Sequence, residues 1–187
     1  MIAAMARLWR QLFEPRGQPS ATVSPEARQL RIPRSLLNSL RRSVMPCDRA
    51  EPLSLVHVRY VAEDRRTIAV AFDMTPMPDE AYVDGPDGAN FDARWLVSFA
   101  DEQLDRNAGL LLAHSHGGYG RPHFGIVDWR TNREILAKLA VGVATAPYGA
   151  MLLSNDDQVA VFTIGSHLHE GTVVVVPDGF RAADFRA

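Results

Sequence analysis

The sequence predicts an α/β domain, a mixed sheet flanked by helices, over residues 29–187, behind an N-terminal helix and linker in residues 1–28. Three observations predict it. Apolar residues alternate over 53–62 and again over 67–72, with the turn Glu63-Asp64-Arg65-Arg66 between, which is the pattern of a hairpin. The unbroken apolar run Leu110-Leu111-Leu112-Ala113 suits a buried strand. Segments with helical apolar spacing fall between these strands, and strands interleaved with helices build α/β domains.

In chain order, residues 1–13 place Ile2, Met5, Trp9, Leu12 and Phe13 near one helical face, and residues 15–24 have the Pro, Gly and Ser content of a linker. A helix is expected over 33–43, followed by the hairpin. Residues 74–90 are rich in Pro, Asp and Gly and read as a long loop, a candidate clamp for a bound chain. A helix over 92–107 offers Trp95, Phe99 and Leu104 for its buried side. The strand at 110–113 leads through a glycine-rich loop to a helix over 128–140. Strands at 149–153, 159–164 and 172–176 complete the domain, the first two joined by the turn Asn155-Asp156-Asp157.

Composition narrows the function classes. A net charge of −2 and a pI near 6.3 give no electrostatic footprint for nucleic acid. Arg34, Arg41, Arg42 and Arg49 read as a solvated helix face. The single Cys47 excludes an internal disulfide framework and a Cys-rich zinc knuckle, which fits a reducing compartment. No transmembrane segment is expected, and Arg7 and Arg10 interrupt the opening segment, so the expected location is cytoplasmic.

The chemistry concentrates at His114-Ser115-His116, followed by Gly117-Gly118-Tyr119-Gly120 and then Asp128. Residues i and i+2 of a strand share a face, so both imidazoles emerge together where the strand ends. Asp128 opens the next helix and supplies a carboxylate. Two His and one Asp leave a fourth tetrahedral position for water, as in a catalytic Zn²⁺ site rather than a closed structural one. The second pair, His167-Leu168-His169, is followed by no carboxylate opening a helix and reads as a solvated strand or turn.

This arrangement resembles the JAB/MPN family, whose zinc-dependent members are the JAMM metalloproteases, deubiquitinating isopeptidases among them. The family pattern is an upstream Glu, then His-x-His, then Ser-x-x-Asp. His114, His116 and Asp128 match its metal ligands, and the resemblance covers roughly residues 29–176. It implies a JAB/MPN-like (cytidine-deaminase-like) fold and places the catalytic glutamate at Glu51, although Asp48, Glu63 and Asp64 flank the same strand. The implied activity is zinc-dependent cleavage of a peptide or isopeptide bond in a bacterial ubiquitin-like pathway. The implied partners are a ubiquitin-like protein or its conjugates, with E1-like and E2-like proteins.

Three departures stand out. Gly117 replaces the usual Pro, the loop to Asp128 is one residue longer than the commonest spacing, and Gly125 replaces the Ser that helps hold the tetrahedral intermediate. The loop residues Gly117, Tyr119 and Gly125 are the candidates for oxyanion or substrate contact in its place. The competing expectation is a catalytically weak or inactive scaffold that binds a ubiquitin-like protein or its E1-like and E2-like enzymes.

Overall fold

The computed structural model describes residues 27–45, 52–63, 66–83, 91–103, 108–142, 148–164 and 167–179. Its elements run β1 (Ala27–Pro33), α1 (Arg34–Val44), β2 (Ser54–Glu63), β3 (Arg66–Pro76), a 3₁₀ turn (Asp79–Ala81), α2 (Ala93–Gln103), β4 (Ala108–Ser115), α3 (Ile126–Gly142), β5 (Gly149–Leu153), β6 (Gln158–Ile164) and β7 (His167–Val176). Residues 1–26, with the expected N-terminal helix, lie outside the described residues, as do Cys47, Asp48, Arg49, Glu51 and Asp64. None of the described helices is long and apolar enough to cross a membrane.

The strands close on themselves in the order β1-β3-β2-β4-β5-β6-β7, and β7 returns to β1. Pairing is parallel between β1 and β3, β1 and β7, and β4 and β5, and antiparallel elsewhere. This corrects the expected α/β architecture: a helix-flanked JAB/MPN-like (cytidine-deaminase-like) sheet does not form. The chain instead builds a seven-stranded closed barrel with three short helices among the described residues. The physical reason is β1, which joins Gln29 to Thr172 on one side and Leu30 to Ala69 on the other. Pairing both neighbours removes the free edges that an open sheet leaves, and a partnership between segments so far apart leaves no local periodicity to read.

Two apolar clusters lie on opposite faces of the strands. Leu111 and Ala113 of β4 join Val56, Val58, Met151, Leu153, Ala160 and Phe162 in one cluster. α1 adds Leu37, Leu40 and Val44, spaced three and four apart so that they share a helical stripe. Leu110 and Leu112 point the other way, into a cluster with Leu53, Leu55, Leu96, Ala100, Ile135 and Tyr148 that α2 and α3 help to form. All eight β4 residues are buried, which explains why this strand reads as a continuous apolar run rather than an alternating one.

The start of α1 is satisfied by a remote group. α1 begins after Pro33 without a side-chain cap, and the Ser35 N–H donates instead to Asp178 Oδ1 at 2.7 Å. That bond holds the Asp178 carboxyl below the usual carboxylate range. Arg41, expected on a solvated face, is half-buried and donates to Gln158 Oε1 at 2.7 Å, whereas Arg34 and Arg42 are exposed.

Candidate metal centre

Strand alternation decides where the histidines point. His114 shares the face of Leu110 and Leu112 and is buried, whereas His116 stands beyond the last β4 residue and is 37% exposed at its side chain. Ser115, between them, faces the barrel cluster. Its hydroxyl donates to the Leu153 carbonyl at 2.9 Å and accepts the Gly117 N–H at 3.0 Å. One buried oxygen thus ties the end of β4 to β5 and fixes the peptide that follows His116.

The turn after His116 depends on glycine. Gly117, Gly118 and Gly120 have φ of 67°, 71° and 83°, the left-handed region that costs other residues about 1–2 kcal/mol. Proline, with φ near −65°, cannot occupy position 117 in this conformation, so this turn requires the residue found there to be other than Pro. The loop is also pinned to the β5–β6 turn. Asn155 N–H donates to the Gly118 carbonyl at 3.0 Å, Gly120 N–H to Asp156 Oδ1 at 2.7 Å, and Ser154 Oγ to the Gly120 carbonyl at 2.7 Å.

Asp128 enters from the first turn of α3. The Trp129 N–H donates to the Gly125 carbonyl at 3.0 Å, which makes Gly125 the residue that caps the helix. The Gly125 N–H donates in return to Asp128 Oδ2 at 2.7 Å. This is the half of a capping box in which the third helical residue reaches back to the cap. A serine at 125 would complete the box; glycine retains the backbone half. The helix dipole further favours a carboxylate here.

Three ligating groups then converge. His114 Nε2 lies 3.3 Å from His116 Nε2, His114 Nε2 is 3.4 Å from Asp128 Oδ1, and His116 Nε2 is 3.4 Å from Asp128 Oδ2. Donors about 2.0–2.1 Å from a tetrahedral ion such as Zn²⁺ are separated by about 3.3–3.4 Å; the two imidazole nitrogens match that spacing, and the carboxylate meets each imidazole with a different oxygen. The two imidazoles and the carboxylate are therefore placed to hold a metal ion, and among the described residues they form the one such cluster.

Burial alone pushes the Asp128 carboxyl upward. The hydrogen bond with His114, the Gly125 N–H and the two imidazoles outweigh it and hold the group below its ordinary value, so the ligand is anionic at neutral pH. Phe124 lines one side, with its ring centroid 6.3 Å from that of His114 and 5.6 Å from that of Trp129.

The other expected site residues separate clearly. The N–H groups of Gly117 and Gly125 are engaged with Ser115 and Asp128, and Tyr119 is exposed in the loop. Glu51 lies outside the described residues, but the chain just after it is well held: Leu53 N–H donates to Tyr82 Oη at 2.8 Å, and Met77 N–H to the Leu53 carbonyl at 3.0 Å. Ser54 pairs with Ala113 in antiparallel register, so β2 begins at the end of the sheet where His114 stands.

Ser115, Ser154 and Asp156 were not anticipated as supports of the site. The signal for Ser115 was its position, since the residue between two same-face histidines must point to the opposite face. No family model and no curated protein matches the chain.

Proposed function

We propose that the protein is a zinc-dependent peptidase or isopeptidase of the JAMM type. The observation that carries this reading is the convergence of His114 Nε2, His116 Nε2 and the Asp128 carboxylate at one point, with closest approaches of 3.3–3.4 Å. Three protein ligands with one of them exposed leave room for a further ligand, as catalytic zinc sites do. Zinc bound there supplies Lewis acidity, lowering the pKa of a water towards about 7 and polarising a carbonyl.

The chain's own residues supply the rest. The Ser115 and Gly125 hydrogen bonds fix the ligand directions before the ion arrives, and Phe124 packs against the His114 side of the site. Glu51 is the proposed proton carrier: it accepts a proton from the water that adds to the amide carbon and returns it to the nitrogen as the C–N bond breaks. The resemblance extends the proposal to the C-terminal tail of a ubiquitin-like protein, free or conjugated, as substrate.

Gly125 favours a second reading. Its N–H is already committed to Asp128 and it has no hydroxyl to offer an oxyanion, which fits a scaffold that keeps the site but works slowly or not at all. Glu51→Gln separates the two readings. Assayed on ubiquitin-like fusions, a peptidase loses turnover while retaining zinc. If the wild-type chain binds the fusion with zinc in place and cleaves nothing, the scaffold reading replaces it.

A further inference from the structure

Asn132 in α3 is a buried amide whose surroundings leave it unexplained. Only 5% of its surface is exposed, and its side chain makes no hydrogen bond to another described residue. The other buried polar residues, Ser54, His57, His114, Ser115 and Ser154, each have a side-chain or backbone partner. A buried amide without a partner destabilises the fold, and such an exception beside a ligand cluster calls for a physical reason.

The helix presents one stripe to the sheet. Arg130, Thr131, Arg133 and Glu134 are exposed, whereas Asp128, Asn132 and Ile135, spaced four and three apart, turn inward. Ile135 packs in the cluster that holds Leu110 and Leu112, on the face of β4 where His114 stands. β4 and β5 are parallel, so α3, which joins them, runs back along β4. Four helical residues advance the stripe by about 6 Å from Asp128 to Asn132, and two strand residues separate His114 from Leu112 by about 6.6 Å. Asn132 is thereby brought level with the base of the His114 side chain, one turn below the carboxylate that meets its tip.

His114 has the complementary need. Its Nε2 faces His116 and Asp128, which makes Nε2 the ligating atom and leaves the proton of the neutral ring on Nδ1, the nitrogen nearer the backbone. The ring is buried, and Nδ1 has no hydrogen-bond partner among the described residues. A ligating histidine donates its second N–H to an acceptor, which fixes both its tautomer and its direction. We infer that Asn132 is a positioning residue of the metal centre, its Oδ1 accepting the His114 Nδ1–H when Nε2 holds the metal. Rotation about the asparagine side-chain torsions turns the amide without moving α3. The inference rests on a metal being held by His114, His116 and Asp128, and not on which bond is cut there.

Two substitutions in the full chain test it. Asn132→Leu removes the acceptor at similar volume, and Asn132→Asp keeps an oxygen in its place. Titration with zinc against a chelating indicator should show affinity about 10–100-fold lower in the leucine variant and parental or higher in the aspartate variant. The metal-free leucine variant should melt at or above the parental temperature, because an unpaired amide has been replaced by an apolar group. In zinc-loaded protein with isotopically labelled histidine, the Nδ1–H proton of His114 should be visible by NMR in the parent and in Asn132→Asp, and lost to solvent exchange in Asn132→Leu. A leucine variant with parental zinc affinity, equal losses in both variants, or a leucine variant that melts well below the parent overturns the inference. A parent that takes up no zinc overturns the metal centre as well, whereas a zinc-binding parent with an unmoved leucine variant overturns the role of Asn132 alone.

Discussion

His114-Ser115-His116 and His167-Leu168-His169 share a sequence pattern and differ in everything that follows them. The first pair ends a buried strand, the chain then turns on three left-handed glycines, and α3 brings Asp128 back to within 3.4 Å of both imidazoles. The second pair sits inside the β6–β7 hairpin, with His167 opposite Ile164 and His169 opposite Phe162, and the strand continues to Val176. The carboxylate next to it in sequence, Glu170, is exposed and paired with Arg121. Spacing along a strand aligns two ligands, and a third arrives only if the chain reverses after them.

The contrast is sharpest by mutation. His114→Ala should lower zinc affinity by more than about 100-fold, since deleting a ligand costs more than removing its supporting shell, whereas His169→Ala should leave it unchanged. Titration against a chelating indicator reads both. Equal losses would show that the two pairs are not distinct.

A smaller effect is expected from Ser115→Ala, which touches no metal ligand atom yet removes the oxygen bonded to the Leu153 carbonyl and the Gly117 N–H. Zinc affinity should fall by about 10–100-fold. Ser115→Thr should recover most of it, because a hydroxyl is restored at the same place. In the cobalt-substituted protein, the visible absorption bands of the alanine variant should shift and those of the threonine variant should match the parent.

The smallest effect belongs to a histidine outside both pairs. His57 in β2 is buried, lies between Phe72 and Phe99, and bonds Thr75 Oγ1 through Nε2 at 3.0 Å. Burial lowers its pKa below 6.5, and Asp73 only partly opposes this. The folded state therefore binds the proton less readily than the unfolded chain. Its contribution to stability is complete above pH 6.5 and is lost as pH falls through the lowered folded value. Urea denaturation at pH 7.5 and pH 5 should show that decline, and His57→Gln should flatten it relative to the parent.

Much of the local structure was legible. The hairpin, the buried strand ahead of the histidines and the helix that carries Asp128 follow from period-2 and helical spacing, and each is found within a few residues of its expected place. Closure of the barrel was not legible in the same way. In β1, buried Leu30 and Ile32 alternate with half-buried Gln29 and Arg31, a strand signal, but the run is short and ends at a proline. Its partners, Thr172–Val176 on one side and Thr67–Val70 on the other, are distant in sequence.

The cluster of His114, His116 and Asp128, which could hold a metal ion, was legible because ligand chemistry restricts residue type and spacing so tightly. Its supports were not, since the side-chain oxygens of Ser115, Ser154 and Asp156 bond to backbone groups, which any residue could present.

The most direct test of the metal centre is the zinc content of the purified full chain, compared with an Asp128→Ala variant prepared in parallel. About one zinc per chain, lost in the variant while its circular dichroism stays parental, is the predicted result. A parent that holds no zinc and takes up none on reconstitution would contradict the account, as would a variant that retains the full amount.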